Sequence, residues 1–199
     1  MALEKTAFRR YFVFVGIFLV LFIAASVTWV QDYIVFQKIE EKAVRQFKQY
    51  KIMEDDEYVP QMQVAGPTGE FVPLLEGGKY TVLNIWATWC APCVKELPAL
   101  QNLQKVLYYD ENAWRVVAVS IDSRKDISKV IKFTKRLAVE EVASYHDFNG
   151  EVQKEIEFNK LPMTLILSKN GRILYKVYGD TRWNDPNIIK FLKFMRRTK

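Results

Sequence analysis

The apolar residues of this chain first form one long, uninterrupted run near its start. From Tyr11 to Val30, 20 successive residues carry no formal charge, and most are Phe, Val, Ile or Leu. About 20 such residues are needed to cross a hydrocarbon core of roughly 30 Å as a helix. The run therefore predicts a transmembrane helix over residues 11–30 that anchors the chain in the lipid bilayer. A cleaved signal peptide, whose apolar region is shorter, is the alternative.

The charges on either side of this run predict its orientation. Lys5, Arg9 and Arg10 directly precede it, whereas the first basic residue after it is Lys38. Basic residues favour the cytoplasmic side of a membrane, so residues 1–10 are expected in the cytoplasm. The predicted location is the bacterial inner (cytoplasmic) membrane, crossed once, with the rest of the chain facing the periplasm or the cell exterior.

The next segment has the spacing of an amphipathic helix. Between Gln31 and Tyr58, apolar residues recur at steps of three and four between charged ones, at Phe36, Ile39, Ala43, Phe47 and Tyr50. This pattern predicts a helical stalk that continues from the membrane, with a self-pairing coiled coil as the alternative. Residues 31–60 are thus expected to form a stalk or linker, followed by a single domain over residues 61–199.

Within residues 61–199, strand and helix patterns alternate. This alternation predicts an α/β domain whose central sheet is flanked by helices. The predicted elements are a hairpin of Gln61–Val64 with Glu70–Leu74, a strand at Tyr80–Trp86, a helix at Pro92–Tyr109, a strand at Val116–Ile121, helices at Asp126–Leu137 and near Gly150–Phe158, a hairpin of Thr164–Ser168 with Ile173–Tyr178, and a last helix from Pro186.

Composition and charge exclude several functional classes. The 199 residues have a formal charge of +6, but the 29 basic and 23 acidic residues are interspersed, so nucleic acid is not an expected partner. Two cysteines and one histidine are too few for a closed zinc site, and neither a metal nor a cofactor is expected. Because the cysteines are only three residues apart, their spacing favours redox chemistry over a structural disulfide framework.

The cysteine pair lies in the sequence Trp89-Cys90-Ala91-Pro92-Cys93, between a predicted strand and a predicted helix. In this context a C-x-x-C pair is typical of a thioredoxin-like redox centre. The helix N-terminus stabilises a thiolate and lowers the pKa of the first cysteine, which makes Cys90 the expected nucleophile. Cys93, one turn inside the helix, is expected to resolve the mixed disulfide. Two unpaired, inert thiols are the structural alternative.

Several separated motifs resemble those of the TlpA/ResA-like branch of membrane-anchored thioredoxin-fold proteins. They are the block from Asn84 to Cys93 with Glu96 and Pro98, and the later Leu161-Pro162-Met163-Thr164. The resemblance implies a thioredoxin-like fold with a central mixed sheet, and thiol:disulfide oxidoreductase activity. It further implies a protein-disulfide reductase for cytochrome c maturation or metal-centre assembly. Such an enzyme takes protein disulfides as substrates and electrons from a thiol-reducing membrane donor.

The same resemblance implies roles for residues around the cysteines. Leu161-Pro162 should be a cis bond that exposes the Leu161 backbone to a substrate strand. Glu96 would either tune the pKa values of the cysteines or complement the helix dipole from its first turn. Asn84 takes the place of a buried acid of thioredoxins, and an amide cannot titrate. The residues predicted to support the active site or to bind substrate are therefore Trp89, Ala91, Pro92, Glu96, Leu161 and Pro162.

Three further expectations and two alternative functions complete the prediction. Trp86 is expected in the core, Trp89 at the surface, and His146 at the surface or at a strand end. One alternative is a non-catalytic or copper-handling binding module, for which His146 is the sole histidine ligand. The other is a thiol peroxidase of related fold. Met163 stands where some cytochrome-maturation relatives carry an acid, which argues against that particular assignment.

Overall fold

The computed structural model describes residues 2–66, 68–109, 113–143 and 145–198, with the backbone alone for 2–14, 143, 197 and 198. The chain divides into two compact units, the first ending at Glu41 and the second beginning at Lys42. The first unit is helical and belongs to α1, Ala2–Val44. The segment Val15–Val44 of α1 contains 18 successive residues with a mean hydropathy of 1.8 and is long and apolar enough to span a membrane. It is a candidate for the predicted anchor.

The second unit is built on one eight-stranded mixed sheet. The strands are β1 (Gln49–Ile52), β2 (Gln63–Ala65), β3 (Phe71–Pro73), β4 (Tyr80–Trp86), β5 (Trp114–Ser120), β6 (Tyr145–His146), β7 (Met163–Leu167) and β8 (Ile173–Tyr178). They lie in the order β1-β8-β7-β4-β5-β6-β2-β3, in which β4 runs parallel to β5, β5 runs parallel to β6, and the other neighbours are antiparallel.

Among the described residues, five helices accompany this sheet, together with a short 3-10 turn at Arg124–Asp126. They are α2 (Ala91–Tyr108), α3 (Ile127–Leu137), α4 (Glu140–Ala143), α5 (Glu151–Glu155) and α6 (Pro186–Thr198). The mixed sheet flanked by helices confirms the predicted thioredoxin-like fold class. Every described residue of β4 is buried, as expected for a central strand covered on both faces.

The alternation of side chains along β4 separates the two faces of the sheet. Leu83 and Ile85 belong to a hydrophobic cluster that also contains Val152 and Ile156 from the region of α5. Asn84, between them, points to the opposite face because successive strand residues alternate. On that face, the Trp86 ring packs against Phe133 of α3, with 6.2 Å between the ring centroids. The side chain of Asn84 thus lies in the layer between the sheet and its helices.

The structure corrects the predicted stalk. The helix expected between Gln31 and Tyr58 ends at Val44, and the prediction is wrong beyond that residue. Gln49–Ile52 instead forms β1, which pairs with β8 and adds an edge strand to the sheet. The second compact unit accordingly begins upstream of Gln61, where the sequence places the start of the domain. Backbone pairing with β8 makes this segment a strand, because its own side chains are exposed and are not part of the buried core.

The other predicted elements agree with the structure apart from their ends. The helix expected near Gly150–Phe158 is limited to Glu151–Glu155, and α4 and β6 were not predicted. The turn of the first hairpin includes Pro67, which lies outside the described residues. The second hairpin forms around Gly171, whose positive φ of 84° is a conformation that glycine adopts without strain.

Candidate active site

The two cysteines lie where the central strand passes into α2. Cys90 is the N-cap residue, with an extended backbone, and its sulfur accepts a hydrogen bond from the backbone N–H of Cys93 at 3.4 Å. Pro92 occupies the first turn of α2, where a missing N–H costs little. The cysteines are joined as a disulfide. Cys90 is 7% exposed and Cys93 is fully buried, so only the first sulfur is near the surface.

A buried carboxylate supports the loop that carries Cys90. Asp122 follows β5, and its two oxygens accept hydrogen bonds from the backbone N–H and the hydroxyl of Thr88 at 2.8 and 2.6 Å. The hydroxyl of Ser120 donates a third bond, at 2.6 Å. Sequence reasoning missed Asp122. Its position just after β5 could have indicated it, because β5 runs parallel to β4 and the carboxyl ends of parallel strands meet at one edge of the sheet. Asp122 is therefore expected near the residues that follow β4.

The second motif meets the cysteines at the same edge. The Leu161-Pro162 bond is cis, as the resemblance implied. It precedes β7, whose first residue Met163 pairs with Ile85 near the end of antiparallel β4. A groove of about 430 Å³, here called the active-site groove, is lined by Trp89, Cys90, Ala91, Pro92, Ile121, Phe158, Asn159, Lys160 and Leu161.

This groove assembles most of the predicted site residues. Trp89, Cys90, Ala91, Pro92 and Leu161 are among the residues that line it, whereas Cys93, Glu96 and Pro162 are buried beside or behind it. Trp89 is 68% exposed, which confirms the expected surface position, and Trp86 is buried as expected. The groove therefore combines one accessible sulfur with an exposed aromatic side chain and the segment before the cis bond.

Glu96 occupies a different environment from the predicted first turn. It is the sixth residue of α2, is only 3% exposed, and points into the layer between helix and sheet. Oε1 accepts a hydrogen bond from Asn84 Nδ2 at 2.7 Å. Oε2 accepts from the backbone N–H of Thr181 at 2.9 Å and from Trp183 Nε1 at 3.2 Å. Because Glu96 lies beyond the first turn, the alternative of dipole complementation from that turn is wrong.

Burial decides the protonation of this carboxyl. Loss of hydration raises the pKa of Glu96 from 4.5 to about 7, although the bonds from Thr181, Asn84 and Trp183 favour the ionised form and lower it. Both protonation states are thus accessible near neutral pH. Cys93 and Glu96 are three residues apart on α2 and are both buried, so they lie on one face of the helix. Thr181 and Trp183 carried no signal in the sequence that linked them to the cysteines.

His146 was expected at the surface or at a strand end. It lies at the end of β6 and is buried. It is only 1% exposed, and its Nε2–H donates a hydrogen bond to the carbonyl oxygen of Asp122 at 2.7 Å. The strand-end position is confirmed: β6 pairs with β5 and with β2 inside the sheet, and the His146 ring packs against Phe148, with 6.4 Å between the ring centroids. Its role in the described structure is to bond the loop that follows β5.

Comparison with known proteins agrees with this arrangement. A thioredoxin-like family model matches residues 77–173. The thiol-disulfide oxidoreductase ResA of Bacillus cereus is 30% identical over 135 residues, which cover 67% of this chain and 75% of that protein. ResA of Oceanobacillus iheyensis is 36% identical over 102 residues, and the match spans 51% of this chain but only 50% of the relative.

A solved structure shares the fold. StoA from Bacillus subtilis superposes with a TM-score of 0.55 at 23% identity, covering 68% of this chain and 99% of that one. The chain belongs to the ResA-like thiol-disulfide oxidoreductases of the thioredoxin-like family. Its activity is accordingly thiol-disulfide exchange, and the candidate membrane span fits a single-pass, membrane-anchored protein.

Proposed function

We propose that this chain is a membrane-tethered protein-disulfide reductase that works outside the cytoplasm through Cys90 and Cys93. The position of the two sulfurs is the observation that supports it most. Cys90 caps α2 in the wall of the active-site groove, whereas Cys93 is enclosed one turn further on. A client disulfide can approach the first sulfur, and the second is placed to act only after a mixed disulfide has formed.

The reaction begins with both cysteines reduced. The Cys90 thiolate attacks one sulfur of the client disulfide, the client S–S bond breaks, and the released client thiolate takes up a proton. Cys93, as a thiolate, then attacks Cys90 Sγ in the mixed disulfide. This step closes the Cys90–Cys93 disulfide and releases the second client sulfur, which is also protonated. Two electrons pass from the protein to the client, and a membrane-bound dithiol donor restores the pair by the reverse exchange.

Glu96 has the properties needed to move a proton during the second attack. The enclosed Cys93 thiol has to lose its proton before it becomes a nucleophile. Glu96 lies on the same face of α2, and its pKa of about 7 lets it accept and return a proton near neutral pH. Asn84, Thr181 and Trp183 are positioning residues in this scheme, because their bonds hold the carboxyl in place.

The groove walls provide for client binding. Leu161 offers its backbone next to the cis bond, where an extended client segment can add to the sheet by main-chain hydrogen bonds. Ala91 and Pro92 place no charged side chain between the two cysteines, and the exposed Trp89 gives an apolar surface. The family resemblance further supports clients in cytochrome c maturation or metal-centre assembly. The basic residues before the candidate span support a domain outside the bacterial inner membrane.

A trapping experiment with a measurement of resting redox state tests this function. The Cys93→Ser variant should accumulate mixed disulfides on Cys90 in membranes, because the resolving thiol is absent. The Cys90→Ser/Cys93→Ser double variant is the control and should trap nothing. Acid-quenched alkylation of cells should find the wild-type pair mainly reduced. A pair that rests mainly oxidised while its membrane donor is active would contradict a reductase and indicate an oxidase or isomerase.

A further inference from the structure

A second cleft adjoins the active-site groove. It has a volume of about 640 Å³ and lies between β1, β8, α5 and the segment that follows α5. Four lysines line it, namely Lys51, Lys154, Lys160 and Lys176, and we call it the lysine cleft. Phe158, Asn159 and Lys160 line both the lysine cleft and the active-site groove, so the two are continuous. A polypeptide in one can extend directly into the other.

Two of the four lysines are already neutralised. Lys154 pairs with Glu155 at 3.0 Å, and Lys176 pairs with Glu57 at 2.6 Å. Within the described residues, no carboxylate lies within ion-pair distance of Lys51 or Lys160. Glu157 is the single carboxylate among the lining residues. Two lysines without an ion pair among the described residues, Lys51 and Lys160, thus stand against the one carboxylate of Glu157, and the charge that this cleft offers to a bound molecule is net positive.

Lys160 is held at the junction of the two clefts. Its Nζ donates a hydrogen bond to the side-chain oxygen of Gln49 and lies 5.2 Å from the centre of the Tyr178 ring. These contacts reduce the freedom of a long side chain that is otherwise exposed, so less entropy is lost when it pairs with an anion. Lys160 also directly precedes Leu161. A client strand aligned with Leu161 and joined to Cys90 would pass this ammonium group within a few residues of its own cysteine.

We propose that the lysine cleft binds an acidic segment of the client polypeptide next to the disulfide under attack, and that Lys160 and Lys51 determine this specificity. The inference rests on the proposed reductase function and names its preferred substrate class. Carboxylates flanking the client cysteine would pair with the two ammonium groups while the cysteine occupies the active-site groove. Complementary charge of this kind raises the rate of encounter more than the final affinity, and salt weakens it.

Matched peptides test the preference directly. The full chain, reduced and held in micelles of a non-ionic detergent, is mixed with three fluorogenic disulfide peptides that differ only in three residues beside one cysteine. The three residues are all Glu in the first peptide, all Gln in the second and all Lys in the third. We expect the second-order rate constant to be about threefold to tenfold higher for the Glu peptide than for the Gln peptide at low salt. The Lys peptide should react most slowly, and high salt should bring the three rates together.

Charge variants locate the effect. Lys51→Gln/Lys160→Gln should lower the ratio of the Glu-peptide rate to the Gln-peptide rate to about one. An unchanged urea midpoint verifies that this variant folds. Lys160→Glu should make the Lys peptide the preferred one. The matched control is Lys129→Gln/Lys132→Gln on the exposed side of α3, which removes the same charge away from both clefts and should preserve the preference.

Three results would overturn the inference in different ways. Equal rates for the three peptides on the wild-type chain would exclude charge recognition. An equal loss of preference in the α3 control would assign the effect to the overall charge of the protein. Absence of exchange with every peptide would contradict the reductase function itself, and the inference with it. The first two results would remove the inference alone and leave the reductase function in place.

Discussion

The side-chain amide of Asn84 donates a hydrogen bond to Oε1 of Glu96 at 2.7 Å, in the buried layer between the central strand and the active-site helix. The same Nδ2 donates to Thr164 Oγ1 on the neighbouring strand at 2.9 Å. The pair thus connects β4, β7 and α2 behind the cysteines. An acid at position 96 and an amide at position 84 give this layer one titrating group. The first two predictions test whether Glu96 titrates in this layer and whether a second acid at position 84 changes that titration.

Replacement of Glu96 by Gln should remove a pH dependence of stability. The folded state binds this proton more tightly than the unfolded state, so the free energy of unfolding of the wild type falls as the pH rises from about 4.5 through about 7. The shift corresponds to an upper bound of about 3 kcal/mol. Urea midpoints of the full chain in micelles, followed by tryptophan fluorescence at pH 5 and pH 8, measure the difference.

In this comparison, Glu96→Gln should be more stable relative to the wild type at pH 8 than at pH 5. The exposed Glu157→Gln is the matched control, because it removes a carboxyl from the surface and should leave the wild-type pH dependence in place. Parallel pH dependence in the wild type and in Glu96→Gln would show that the carboxyl titrates near its ordinary value. It would also remove the basis for a proton-transfer role at neutral pH.

Replacement of Asn84 by Asp should place two carboxyls within hydrogen-bond distance in a buried layer. Two adjacent carboxylates repel each other, so at least one pKa of the pair should rise above that of Glu96 in the wild type. We expect a loss of stability at pH 8 of at least about 1.4 kcal/mol relative to pH 5, which corresponds to one pKa unit. Asn170→Asp, the same change in an exposed hairpin turn, should have little effect. Equal losses at both pH values would indicate altered packing instead of a shared proton.

The elements that the sequence predicted well carry their signal locally. The apolar run of β4 and the alternation around Gly171 in the second hairpin need no knowledge of the rest of the chain. By contrast, β1 consists of four exposed residues, and only its pairing with β8 makes it a strand. The spacing of Phe36, Ile39, Ala43 and Phe47 predicted a helix correctly as far as Val44. It could not reveal where backbone pairing with a distant strand begins.

The same distinction applies to the candidate site. The cysteine motif is contiguous, so its place at a helix N-terminus was predictable from five residues. Several partners of Glu96 and of Thr88 are distant in sequence. The difference in residue number is 85 for Glu96 and Thr181, 87 for Glu96 and Trp183, and 34 for Thr88 and Asp122. Their contacts depend on strand order and on the packing of α2, which no local pattern encodes. The buried, titrating character of Glu96 therefore came from the structure.

In the reduced chain, Cys90 should be alkylated at least about tenfold faster than Cys93 at neutral pH. Cys90 is at the N-cap and partly accessible, whereas Cys93 is fully buried, and alkylation requires an accessible thiolate. Mass mapping of partially alkylated protein measures the ratio. The Cys90→Ser variant, which keeps Cys93 alone, should react slowly and serves as the control. Faster labelling of Cys93 would reverse the proposed roles of nucleophile and resolving thiol.

The last prediction concerns the side of the membrane on which the domain lies. Residues 61–199 should be digested when an impermeant protease is added to intact spheroplasts, while an epitope at the N-terminus should stay protected. The physical reason is the concentration of Lys5, Arg9 and Arg10 before the candidate span, which favours a cytoplasmic N-terminus. Lys5→Glu/Arg9→Glu/Arg10→Glu reverses this charge and should protect the domain in a measurable fraction of molecules. A cytoplasmic marker protein that stays intact verifies the spheroplasts. Protection of the wild-type domain until the cells are lysed would place the cysteine pair in the cytoplasm and contradict a reductase that acts outside it.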